Sequence, residues 1–158
     1  MTPIGTSPDE YTELNLAQAA PTPLRVLVVD DDPITLDILG AVLSEAGFEV
    51  GLHNTPFGTA QIMRRDRPDV VLVDVEMPAL KGDTIITNLR RNLSPGDACA
   101  DTEFILYSGT RAAELEALQK KSGALGAIEK SSDFDAFLAK LTVIMHRSPR
   151  LAARLESP

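Results

Sequence analysis

The sequence predicts an α/β protein in which a parallel sheet is covered by helices on both faces. Two observations carry this. Short, nearly uniform apolar runs such as RVLVV, DVVLVDV and EFILYS have the composition of strands buried on both sides. Between them lie segments whose apolar residues recur at three- and four-residue steps, the pattern of amphipathic helices. Strand and helix alternating along one chain imply strand–helix–strand units, and hence parallel pairing.

The elements follow in order. Residues 1–24 are rich in Pro, Thr and Ala and end in APTPL, the composition of an arm outside the core. Within it, Ser7, Pro8, Asp9 and Glu10 set an N-cap, a first-position proline and a capping acid ahead of Tyr11 and Leu14, which predicts a short helix near residues 8–17. RVLVV, from Arg25, is the first strand. Pro33 then opens a helix with Leu36, Leu39, Val42 and Leu43 on one face, closed by Gly47. FEVGLH is less uniform and reads as a strand nearer an edge. Gly58 to Arg67 forms a helix carrying Ile62 and Met63, which Pro68 stops.

DVVLVDV is the next buried strand and brings Asp74 to its end. Gly82 and Asp83 open a helix with Ile85, Ile86 and Leu89, and a polar loop, NLSPGDACAD, leads to the strand EFILYS. A helix over Arg111 to Lys121 turns Leu115 and Leu118 inward, and ALGAIEK supplies a short last strand. Phe134, Phe137, Leu138, Leu141, Ile144 and Met145 mark a strongly amphipathic final helix. SPRLAARLESP, residues 148–158, reads as a C-terminal tail, too short for an output domain. The chain is then either a stand-alone unit or the N-terminal piece of a longer protein.

Bulk composition bounds the function. With 158 residues the chain suits one domain, and with aromatics at 4% its core must be aliphatic. A net charge of −8 opposes contact with a phosphate backbone and argues against direct nucleic-acid binding by this chain. Cys99 is the only cysteine, which excludes an internal disulfide and a metal site built from several thiolates, and suits a reducing compartment. The N-terminus lacks the form of a signal peptide, and no run approaches the roughly 20 apolar residues a membrane helix needs. A cytoplasmic protein without membrane contact is expected.

The chemistry starts at VVDDDP, where three acids follow a strand directly. A helix start explains part of it: Asp32 caps, Pro33 takes the first position, and Asp30 and Asp31 favour the positive end of the dipole. It does not explain Asp74 at the same end of another strand. If those strands are neighbours, several carboxylates converge, and their repulsion must be relieved by protonation or by a cation. Mg²⁺ suits such a site, since it takes oxygen ligands and retains waters that a phosphate can replace. Ser108 ends EFILYS with a hydroxyl, and Lys130 ends the last strand with a point charge suited to an anion. Together these groups are the parts of a phosphoryl-transfer site.

With VLVVDDDP, DVVLVDVEMPALKG, LYSGT and GALGAIEKS in this order and spacing, the stretch from Arg25 to Arg147 resembles the receiver domain of two-component response regulators. The resemblance implies a flavodoxin-like, doubly wound (βα)5 sandwich with strand order 2-1-3-4-5. It implies that Asp74 takes a phosphoryl group from a sensor histidine kinase or a phosphotransfer protein. Asp31 then binds Mg²⁺ directly, Asp30 does so through water, and the backbone carbonyl of Glu76 completes the metal site. Ser108 matches the switch hydroxyl and Lys130 the lysine that pairs with the phosphoryl group. Such a protein is no enzyme beyond catalysing its own phosphorylation and dephosphorylation. It signals by contact with a downstream protein, which the sequence does not identify, and the pattern allows a homodimer.

The chain departs from the family pattern at two places. Ser131 replaces a proline that often follows a cis peptide bond. A cis bond costs about 2.5–4 kcal/mol before serine against about 0.5–1 kcal/mol before proline, so the Lys130–Ser131 bond is expected to be trans. Ala127 stands where many receivers carry an aromatic, which excludes an aromatic rotamer switch there; Tyr107, next to Ser108, could fill some of the same volume, but core packing is the favoured reading.

Two other functions compete for these motifs. Asp30 and Asp32 form a DxD, and Gly96 to Asp101 spell GDACAD, as in haloacid-dehalogenase-like phosphatases, but there the acidic element follows the lysine and here it precedes Lys130. A phosphorylation-independent scaffold with the same fold is disfavoured because all the key side chains are present.

Overall fold

The structure, a computed structural model, describes residues 22–93, 96–97, 99–109 and 111–156. The helix expected near residues 8–17 lies outside the described residues. One sheet of five parallel strands contains β1 (Arg25–Val29), β2 (Glu49–His53), β3 (Val70–Asp74), β4 (Glu103–Ser108) and β5 (Gly126–Glu129), in the order β2-β1-β3-β4-β5. This is the expected doubly wound arrangement. Helices α1 (Pro33–Glu45), α2 (Thr59–Asp66), α3 (Gly82–Asn92), α4 (Ala112–Ser122) and α5 (Phe134–Met145) connect and follow the strands.

Successive strand residues point to opposite faces, so the uniform apolar runs feed two cores at once. On one face Val26, Val28, Val70, Leu72 and Ile105 share a core with Leu39 and Leu43 of α1 and Phe137 and Leu141 of α5. On the other, Leu27, Val71, Val73, Phe104 and Leu106 join Met63 of α2, Ile85 and Ile86 of α3, and Leu115 of α4. A fully buried leucine or valine of this kind stabilises the fold by about 1.5–3 kcal/mol. β2 is half exposed at the sheet edge, as its mixed composition predicts. Gly126 shows how closely α5 lies on β5: a Cβ there would stand 2.6 Å from Ile144 Cγ2.

Residues read from the sequence as a tail contain a sixth helix, α6 (Pro149–Glu156). Leu151 of α6 is fully buried in the first core, and Leu155 packs against it. Two arginines fasten the helix to the N-terminal edge of the sheet. Arg150 and Arg154 both donate to Asp69 Oδ1, at 3.0 and 2.7 Å, while Asp69 Oδ2 accepts the Arg25 amide at 2.9 Å. Arg154 also reaches the Thr22 carbonyl at 3.1 Å, and Arg150 that of Asp101 at 2.8 Å. Asp69 lies immediately before β3, so one carboxylate joins β1, β3 and α6.

No peptide bond among the described residues is cis, so the Lys130–Ser131 bond is trans as expected. Among the described residues no helix is long and apolar enough to cross a membrane.

Candidate functional site

The carboxyl ends of the strands bring the expected residues together. Asp30 is the first residue beyond β1, where its amide donates to the His53 carbonyl at 3.1 Å. Asp74 ends the neighbouring strand β3, opposite Tyr107 of β4. Lys130 follows β5 and is held there by its amide, which donates to the Ser108 carbonyl at 2.7 Å. Each functional side chain is thus set by a hydrogen-bonded strand end rather than by a long loop.

Asp30, Asp31 and Asp74 each offer an oxygen, and those oxygens lie within 4.8 Å of one another. Asp30 and Asp74 are buried and Asp31 is exposed, so the cluster has one open side. The Lys130 ammonium lies 3.4 Å from Asp30 Oδ2 and 3.4 Å from Asp74 Oδ2, bridging the two buried acids. Asp74 Oδ1 accepts the Glu76 amide at 3.0 Å. Burial nevertheless raises the Asp74 carboxyl above its ordinary range and the Asp30 charge adds to this, against the lowering effects of the Glu76 amide and Lys130. The site holds more negative charge than its own cation relieves. Its donor set is oxygen-only and partly solvent-facing, which fits a hard divalent ion such as Mg²⁺.

The neighbouring residues divide between framing the site and building the helix. Asp32 Oδ1 accepts the Ile34 amide at 3.1 Å and Oδ2 the Thr35 hydroxyl at 2.7 Å, and Pro33 opens α1. The Thr35 bond, then the Ile34 amide, holds Asp32 below the usual carboxylate range. Ser108 is fully buried at the end of β4, and the Glu76 side chain is exposed. Ala127 packs, half-buried, against the second core.

Tyr107, for which core packing is the favoured sequence reading, also reaches the acids. Its hydroxyl donates to Asp30 Oδ2, and the Lys130 ammonium sits 4.8 Å from its ring centroid. Burial, then the bond to the Asp30 carboxylate, pushes the phenol well above the ordinary tyrosine range, so it remains a donor. Beside it a cavity of ≈ 320 Å³ opens between α1 and α5, lined by Thr35, Ile38, Lys130, Ser131 and Phe134 among others.

Residues 26–142 match the family model described as the response regulator receiver domain. The chain belongs to this family. As a receiver it is 29% identical over 125 residues to the response regulator MprA of Mycobacterium leprae, covering 79% of this chain and 52% of that protein. A protein-glutamate methylesterase/protein-glutamine glutaminase of Anaeromyxobacter dehalogenans is 45% identical over 69 residues, 42% of this chain and 19% of that protein. The receiver therefore spans about half the length of one curated relative and a fifth of the other. The chemotaxis protein CheY4 of Vibrio cholerae superposes with a TM-score of 0.69 at 23% identity, over 78% of this chain and 99% of that one, a likeness of fold.

The raised Asp74 carboxyl has a measurable consequence for the receiver. Its folded pKa lies above its ordinary value of 3.8, so the stability it contributes is full below that value and is lost as pH rises through the folded pKa. Asparagine suffers no such loss. In metal-free buffer Asp74→Asn is expected to be more stable than the unsubstituted protein at neutral pH, with the difference shrinking as the pH falls below the folded pKa of Asp74. Thermal melts across the acid range check this: the gap should open with rising pH, and a gap independent of pH contradicts it.

Proposed function

We propose that this receiver takes a phosphoryl group onto Asp74 from the phosphohistidine of a sensor histidine kinase or phosphotransfer protein, in the presence of Mg²⁺. The observation that carries the proposal is the Lys130 ammonium placed 3.4 Å from a buried oxygen of each acid, Asp30 and Asp74, inside a cluster open on the Asp31 side. Asp31 and Asp74 would hold the metal directly, with Asp30 acting through water and the Glu76 carbonyl completing the set. The ion would supply charge neutralisation at the oxygens of the incoming phosphoryl group.

The remaining work belongs to the chain's own residues. An Asp74 carboxylate oxygen forms the bond to phosphorus as the phosphorus–nitrogen bond of the donor breaks and the imidazole leaves. Lys130 offsets negative charge gathering at Asp74, where burial makes a fixed cation effective. Ser108, one residue beyond Tyr107, would donate its hydroxyl to the phosphoryl group and shift the surface around it. The signal would then pass by contact with a downstream protein, in the cytoplasm. The receiver would catalyse its own phosphorylation and dephosphorylation and no other reaction.

Incubation with acetyl phosphate and Mg²⁺, followed by intact mass measurement, tests this. One added phosphoryl group, dependent on Mg²⁺ and absent from Asp74→Asn, is the expected result. Phosphoryl mass that persists in that variant contradicts the assignment of Asp74, and no uptake at all favours a phosphorylation-independent scaffold.

A further inference from the structure

Tyr107 touches two of the groups on which the proposed chemistry depends. Its hydroxyl donates to Asp30 Oδ2, and its ring carries the Lys130 ammonium at 4.8 Å. Asp30 is wholly buried, its Oδ1 accepting the Asp32 amide at 2.8 Å while Oδ2 is shared between Tyr107 and Lys130. A buried carboxylate that loses a donor leans more heavily on its remaining partners. Among them is Lys130, which the proposed reaction needs at Asp74. The phenol hydroxyl therefore governs how Asp30 faces the cluster, and the ring governs how far Lys130 can move from Asp74 toward Asp30.

We propose that Tyr107 is a positioning residue of the metal site: its hydroxyl holds Asp30 in the orientation from which it reaches Mg²⁺ through water, and its ring keeps Lys130 between the two acids. The inference rests on the Mg²⁺-dependent reaction proposed above. The two contributions are separable, since Tyr107→Phe removes the hydroxyl and keeps the ring, whereas Tyr107→Leu removes both. Partners that orient metal-binding side chains typically change affinity by about 10–100-fold when lost.

The chain has two tyrosines, Tyr11 and Tyr107, and no tryptophan, so in a Tyr11→Phe background the tyrosine emission reports Tyr107 alone. Mg²⁺ should change that emission along the same saturation curve that calorimetry records. Tyr107→Phe should weaken Mg²⁺ binding about tenfold, yet recover the unsubstituted rate of acetyl phosphate uptake once Mg²⁺ saturates. Tyr107→Leu should remain slow at saturating Mg²⁺, because Lys130 is no longer held. Emission that ignores Mg²⁺ while calorimetry shows binding would overturn the inference, as would a Tyr107→Phe affinity within about twofold of the original. Those results leave the proposed function standing, whereas an unsubstituted protein that binds no Mg²⁺ overturns both.

Discussion

Lys130→Ala is expected to slow phosphoryl uptake from acetyl phosphate by about 10²–10³-fold at saturating Mg²⁺, the usual effect of removing one preorganised charge-stabilising donor. The size follows from its place. Lys130 reaches Asp74 Oδ2 and Asp30 Oδ2 at 3.4 Å each, and both acids are buried. Without it, the phosphoryl group approaches two carboxylates that keep, beside the metal, only neutral donors such as the Glu76 and Asp32 amides and the Tyr107 hydroxyl. Lys130→Arg should restore part of the rate, because it returns the charge in a broader, differently shaped group. Time-resolved mass measurement checks both variants, and a Lys130→Ala rate within about threefold of the original contradicts the role given to this residue.

Leu151→Ala is expected to lower stability by about 2–5 kcal/mol, the range for deleting a buried leucine side chain and leaving a cavity. Leu151 is fully buried although it lies beyond the segment with the family's motifs. For a chain of this size, each kcal/mol lowers the melting temperature by roughly 2–4 °C, so the loss is visible in a simple thermal scan. Phosphoryl uptake below the transition should stay unchanged, since α6 covers the N-terminal edge of the sheet and the acids lie at the opposite one. A melting temperature unmoved by the substitution would mean that α6 is not part of the cooperative unit.

The contrast between α6 and the other elements explains what could be read in advance. RVLVV, DVVLVDV and EFILYS announce their burial because both faces of those strands meet apolar neighbours, so each residue carries the signal. α6 has a local signal too: Ser148 and Pro149 stand as cap and first position, with Leu151 and Leu155 four apart. What secures an eight-residue helix is remote, namely Asp69, bonded to arginines 81 and 85 positions away. Local pattern cannot show such pairing.

The site divides in the same way. Asp30, Asp31 and Asp74 were legible because strand ends of a parallel sheet gather at one edge, whatever the details of packing. The N-cap role of Asp32 was legible because its partners, Ile34 and Thr35, are adjacent in sequence. Tyr107 was not, since its hydroxyl meets a carboxylate 77 residues away and its neighbours in EFILYS are ordinary core residues. Only the β3–β4 register, which sets Tyr107 opposite Asp74, turns a core tyrosine toward the acids.

Arg154 has one more consequence. By holding the Thr22 and Pro23 carbonyls at 3.1 and 3.2 Å, it gathers both ends of the described chain at a single pole, with the acidic crevice at the other. Thr22 and Arg154 thus meet at the pole of the sheet opposite the acids. A load applied between Thr22 and Arg154 would be borne by the arginine contacts and the Asp69 clasp rather than by the sheet.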